Sequence, residues 1–253
     1  LSPNPILRVL STIQRHRVQA LLMGGQACVF YGAAEFSRDT DLAVLGDPVN
    51  LDRLKNALTE LEAERVAVPA FELDFLRRGH AVHFRCHHPD VEGMRVDVMS
   101  TFREMDPFEL LWSRRTTLST PEGTTFDLLS LPDLVQAKKT QRDRDWPMVR
   151  RLLESHYFQN RDEPSEKQIE FWLGELRSPE LLIEIAQAYP DATRRLVSSR
   201  SLLTQALEGS LEPLTRALAE EESQERERDR IYWEPLKREL EQLRRAERKN
   251  RRG

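Results

Sequence analysis

Asp39 and Asp41 stand two residues apart at the head of an apolar run, Asp39-Thr-Asp-Leu-Ala-Val-Leu45. In an extended strand such residues point to the same face, so both carboxylates meet at one place. Paired carboxylates repel unless a cation sits between them. Mg²⁺ is the expected ion, being hard, oxygen-seeking and suited to linking one or two carboxylates to substrate phosphates. Upstream, the apolar run Ala20-Leu-Leu-Met23 ends in Gly24-Gly25, fourteen residues before Asp39. Without side chains these two residues let backbone amides approach an anion, and a helix opening there favours negative charge at its start. A third acid, Asp97, interrupts Met94-Arg-Val-Asp-Val-Met99 and must face away from its flanking valines. If that strand neighbours the Asp39/Asp41 strand, three carboxylates gather. Such a trio can hold two metal ions, one on a triphosphate and one on an attacking hydroxyl, with Asp97 binding or deprotonating that hydroxyl. Taken singly, the glycines read as a plain turn, the acid pair as a turn or helix cap, and Asp97 as an exposed strand residue. Their order and spacing make the stronger reading.

Several elements must form to place these groups. Residues 5–16 have amphipathic helical spacing, 20–23 read as a buried strand, and Gln26 to Tyr31 as a helix closed by Gly32. Residues 39–45 form the second strand, and Asn50 to Glu64 repeat leucine at helical intervals. A short apolar piece near 66–68 and a short helix near 71–78 follow. Residues 80–87 and 94–99 read as strands paired through the intervening turn. One last strand is expected at 124–129, and beyond it helical spacing prevails near 132–144, 146–157, 166–176, 179–188 and 199–219. The fold class is therefore α+β, a mixed sheet core with flanking helices followed by a mainly α-helical C-terminal region. The expected division is a sheet core over 1–120, a helical domain over 121–219 and a charged helical tail over 220–253.

The order Gly-Gly, helix, Ser37-Arg-Asp39-Thr-Asp41-Leu and later Val96-Asp97-Val98 resembles the nucleotidyltransferase superfamily with a polymerase-β-like core. It is most similar to the bacterial branch of abortive-infection nucleotidyltransferase toxins of toxin–antitoxin pairs, and more distantly to aminoglycoside and lincosamide nucleotidyltransferases. The resemblance covers about residues 20–150. Ser37 matches the family pattern, whereas Glu35 replaces a basic residue and Thr40 fills a usually apolar slot. The segment Asp133 to Asp145 resembles the helix after the core in the toxin-like branch. There Lys138, Arg142 and Asp145, at i, i+4 and i+7, are expected on one helical face, the two cations gripping the triphosphate. The resemblance implies an enzyme dependent on two Mg²⁺ ions that moves a nucleoside monophosphate from an NTP to an acceptor hydroxyl. Gly24, Gly25, Ser37, Lys138 and Arg142 would bind nucleotide, and Asp39, Asp41 and Asp97 would hold metal and carry catalysis. It implies a toxin or phage-defence role with tRNA or a protein as acceptor, a possible antitoxin or defence partner, and antibiotic modification as the next choice. A non-catalytic binding scaffold with charged helices is the alternative of another class.

Composition bounds these readings. The 253 residues carry 38 Lys+Arg against 42 Asp+Glu, so a globally basic nucleic-acid binder is excluded. No run approaches the length of a membrane span, no signal peptide is read at the N-terminus, and two cysteines suit a reducing cytoplasm better than a disulfide framework. His80, His83, His87, His88 and Cys86 lie close in sequence, yet period-two spacing sends His80 and His83 to opposite faces, which argues against shared zinc. The four tryptophans are too dispersed for a stacking platform and read as core or interface. The last 34 residues hold 10 acids and 11 bases, a solvated helix or disordered arm by default. The basic cluster ending that stretch leaves an RNA-phosphate grip or a partner-binding helix open.

Overall fold

The computed structural model describes residues 4–34, 37, 39–119, 123 and 125–250. Among the described residues seven strands and twelve α-helices follow one another. The strands are β1 (Ala20–Met23), β2 (Asp39–Val44), β3 (Ala63–Arg65), β4 (Val82–Cys86), β5 (Arg95–Met99), β6 (Thr116–Ser119) and β7 (Thr125–Leu128). The helices are α1 (Pro5–Arg15), α2 (Gly24–Phe30), α3 (Pro48–Glu60), α4 (Leu73–Arg77), α5 (Phe108–Ser113), α6 (Leu131–Lys138), α7 (Trp146–Asn160), α8 (Glu166–Glu175), α9 (Pro179–Ala188), α10 (Pro190–Leu196), α11 (Leu203–Glu208) and α12 (Leu211–Asn250).

The chain divides into two compact units. The first comprises 1–30, 34–137 and 231–253, and the second 31–33 and 138–230. These units do not follow a linear cut at 120 and 219. β7 pairs with β1 and so belongs to the sheet, and α12 gives its first part to one unit and its last part to the other.

One mixed sheet, in the order β3-β4-β5-β2-β1-β7-β6, organises the first unit. β2 runs antiparallel to β1 and parallel to β5, and β4 returns antiparallel beside β5. In β5, Val96 and Val98 are fully buried while Arg95, Asp97 and Met99 are half-buried, the alternation expected of a strand with one face on the core. β2 does the same at its start and then buries Leu42, Ala43 and Val44 together. Asn50 anchors the neighbouring loops: its side chain accepts from the Gln19 amide at 2.7 Å and donates to the carbonyls of Gln19 and Leu45, both at 3.0 Å. These bonds tie the entry to β1 and the exit of β2 to α3, whose start is capped by Asp47.

In the second unit, α7 and α8 bury Trp146 and Trp172, and the Trp172 indole donates to His156 Nδ1 at 2.9 Å. Ser165 and Gln168 form a reciprocal capping box at the start of α8. An ionic network is buried beside them. Arg200 is held by Glu221 and by the carbonyls of Leu173 and Leu176, while Arg177 pairs with Glu175 and Glu221.

Several expectations need correction. The helix expected over 132–144 stops at Lys138, because the chain turns there and Thr140 and Asp145 close the turn through their side chains. The helix expected over 199–219 is two helices, separated at Gly209, which closes α11 in the left-handed region at φ +70°. β3, α5, β6 and α10 were not anticipated: β3 takes the last residues of the helix expected over Asn50 to Glu64, β6 has a single large apolar residue, and Pro190 begins α10. No helix among the described residues is long and apolar enough to cross a membrane.

Candidate functional site

The polar face of β4, β5 and β2 holds the three acids singled out by sequence. Asp41 of β2 lies opposite Asp97 of β5 in parallel register, and Asp97 lies opposite His83 of β4. On the other side Asp41 faces Met23, the last residue of β1. A second row, one strand step away, sets Asp39 opposite Arg95 and Arg95 opposite Arg85. Register partners share a face, so both rows project to the same side of the sheet.

The glycines are placed by the same geometry. Gly24 follows β1 directly and has φ +68°, a left-handed backbone that glycine alone adopts without penalty. A Cβ there would lie 1.8 Å from Asp41 Oδ2, so the bare backbone and the carboxylate occupy adjoining space. A Cβ on Gly25 would lie 2.8 Å from Ser37 Oγ, and that hydroxyl donates to the Asp39 carbonyl at 3.3 Å. Gly24, Gly25, Ser37, Asp39 and Asp41 are thus neighbours, as their spacing implied. Glu35, where the sequence departs from the family pattern, lies outside the described residues. Thr40 points to the buried face and is fully enclosed.

Sequence reasoning missed the cations among the acids. Arg95 Nη2 donates to both Asp97 oxygens at 3.0 and 3.2 Å, and His83 Nδ1 lies 2.8 Å from Asp97 Oδ1. Asp97 is therefore partnered and mostly enclosed. The signal was available: His83 and Arg85 alternate with Val82 and Phe84 just as Arg95 and Asp97 alternate with Val96 and Val98. The same alternation that exposed Asp97 as site-facing exposes its neighbours.

Hard oxygen donors on one strand suit a divalent cation at Asp39 and Asp41, with a side-chain-free backbone beside Asp41. Among the described residues, however, no three His, Cys, Asp or Glu side chains draw close enough to enclose a metal ion. Asp97 joins the other two by register rather than by convergence, its charge balanced by Arg95. The histidine cluster divides as its spacing predicts. His80 is fully buried with Nε2 2.7 Å from Glu239 Oε2, whereas His83 is on the site face.

Lys138 and Arg142 do not share a helical face. Lys138 ends α6, and Arg142 is extended at φ −85°, ψ 128°. Both are drawn instead to Asp145: Lys138 Nζ lies 3.3 Å from Oδ1, Arg142 Nε donates to Oδ2 at 2.7 Å, and Thr140 Oγ1 donates to Oδ2 at 2.5 Å. Burial alone would raise the Asp145 carboxyl, but Lys138, Thr140 and Arg142 together hold it below its ordinary range. The pair that sequence assigned to a triphosphate thus neutralises an internal acid, in the second compact unit, while the three carboxylates belong to the first.

No protein-family model matches this chain, and no curated protein matches it. Among solved structures it is similar to the crystal structure of a candidate nucleotidyltransferase from H. pylori. That likeness spans 87% of this chain and 92% of that one, at 14% identity and a TM-score of 0.39.

Proposed function

We propose that the protein is a Mg²⁺-dependent nucleotidyltransferase, moving a nucleoside monophosphate from an NTP to an acceptor hydroxyl and releasing pyrophosphate. One observation carries this reading: Asp39, Asp41 and Asp97 share a face of adjacent strands, with the unencumbered Gly24 backbone against Asp41. Asp39 and Asp41 would hold Mg²⁺, which when bound neutralises charge on the triphosphate, and Asp97 would join as ligand to a second ion on exchanging Arg95 for metal. Gly24 and Gly25 would offer backbone amides to phosphate oxygens beside the acids, and Ser37 fixes the backbone at Asp39 through its hydroxyl. The acceptor oxygen forms a bond to the α-phosphorus as the bond to the leaving pyrophosphate breaks, and an Asp97 carboxylate oxygen takes the hydroxyl proton. The motif resemblance supports a toxin or phage-defence role with tRNA or a protein as acceptor, and antibiotic modification after that.

A second reading draws on the partners of Asp97. Because Arg95 and His83 already balance that acid, the face is also compatible with a non-catalytic binding scaffold that keeps its carboxylates for structure.

Each of the four α-labelled NTPs, incubated with the protein, Mg²⁺ and total RNA or protein, separates the two. Label enters one acceptor class with the native chain, and chelating Mg²⁺ or the substitution Asp41→Ala abolishes it while the fold is retained. Absence of label with all four nucleotides from folded native protein would refute the enzymatic reading.

A further inference from the structure

We infer that the last part of α12 is a docking surface for the phosphate backbone of an RNA. From Ile231 onward this helix belongs to the sheet unit and has two opposed faces. At about 100° per residue, Tyr232, Leu236, Glu239, Leu240, Leu243 and Glu247 fall within an arc of roughly 100°. That arc turns inward. Leu236 is buried, Glu239 binds Arg78 and the enclosed His80, and Glu247 lies 3.9 Å from Arg65. Lys237, Arg238, Arg244, Arg245, Arg248 and Lys249 fall on the opposite side, within an arc of about 140°.

All six of these cations are exposed. Only Glu234, which binds Arg238, and Glu241 share their arc, so cations outnumber acids six to two on this face. Among the described residues, Arg244, Arg245, Arg248 and Lys249 make no ion pair with an acid, and Arg251 and Arg252 continue the run in sequence. Elsewhere on α12 the arginines are matched within the helix, as in Arg216–Glu212, Arg228–Glu225 and Arg230–Glu227. The unmatched charge is therefore confined to the last turns.

The occupant follows from what the helix lacks. A basic amphipathic helix that binds a membrane or wraps into a partner's groove needs a free apolar face. Here Leu236 is buried and Leu240 and Leu243 are half-buried on the inward arc, and among the described residues of this stretch Ile231 alone is a large apolar side chain left exposed, too small an area for an apolar docking face. A hydrated polyanion is the partner whose binding free energy comes from charge alone, through release of its counterions. RNA is preferred over DNA because the proposed transfer favours an RNA hydroxyl, and that choice alone rests on the functional reading above.

The test is RNA-hairpin binding by fluorescence anisotropy across 50–200 mM salt, with full-length Asp41→Ala protein and no nucleotide, so that it does not depend on catalysis. A companion chain also carries Arg244→Gln, Arg245→Gln, Arg248→Gln and Lys249→Gln. Four phosphate contacts contribute a slope of about −3 to −4 in log K against log salt, or roughly a hundredfold across that range. The neutralised chain, with unchanged circular dichroism, should lose that part of the slope and about tenfold or more in affinity at 50 mM salt. Unaltered binding or slope in that chain, or no RNA binding by the parent, overturns the inference. Tighter binding to anionic phosphatidylserine vesicles, or to a DNA duplex, than to the RNA hairpin also overturns it.

Discussion

At Gly24 two constraints coincide. Its φ of +68° would strain any other residue, and the space where a side chain would begin is filled by Asp41 Oδ2. Gly24→Ala should therefore cost about 1–2 kcal/mol from backbone conformation alone and displace the carboxylate as well. A urea titration and the labelled-nucleotide assay should show lower stability together with transfer as weak as in Asp41→Ala. Gly25→Ala meets only the Ser37 side chain, the rotatable hydroxyl at 2.8 Å and the Cβ at 3.3 Å, and has no left-handed backbone to strain, so its stability loss should be the smaller of the two. Equal losses would mean that Asp41 does not set the requirement at Gly24. The pair was legible in sequence as bare backbone after a strand. That its first member must be glycine was not, because the reason lies seventeen residues later in a side chain reached only through strand pairing.

Elements show the same division between what local pattern fixes and what distant partners fix. The hairpin of β4 and β5 and the place of β2 followed from alternation, because each strand has one buried face. The register Asp41 to Asp97 needed only that β2 and β5 be neighbours. The end of α6 was hidden: helical spacing continues past Lys138, but the side-chain bonds of Thr140 and Asp145 outweigh it. This cluster makes a sharp prediction. Asp145 has its carboxyl lowered relative to an unfolded chain, so it stabilises the native state above about pH 4, the ordinary carboxylate range, and loses that effect as pH falls through its lower folded value. Asp145→Asn leaves Lys138 enclosed without its counter-charge, at a cost of about 3 kcal/mol at pH 7. The gap in urea midpoint between native and variant chains should be widest at neutral pH and narrow as pH falls below 4. A gap that widens on acidification would show that the carboxylate is not what holds this turn.

On the scale of the whole molecule, sequence order and spatial order part company at the C-terminus. The density of charge after residue 220 suggested a solvated helix or a disordered arm, and over the described residues it is a helix with much of its surface exposed. Its last part nevertheless rejoins the sheet unit, where a Cβ on Gly79 would lie 2.5 Å from the Tyr232 hydroxyl and Leu236 is buried. Nothing in the tail's own composition could reveal this, because the complement is a glycine and a histidine some 150 residues earlier. Glu239 is the residue on which the reunion can be tested. It receives Arg78 at 2.9 Å and lies 2.7 Å from Nε2 of His80, a ring with no exposure to solvent and no partner for Nδ1 among the described residues. Glu239→Ala strips the remaining partner from a buried polar ring, which costs about 1–3 kcal/mol. The effect should be local to the sheet unit. Amide exchange should quicken in Val82–Cys86, next to His80, while Trp172 and its neighbours in α8 keep their protection. Unchanged exchange in β4 would mean that the helix contributes nothing to the sheet, and that its inward face is as solvated as its outward one.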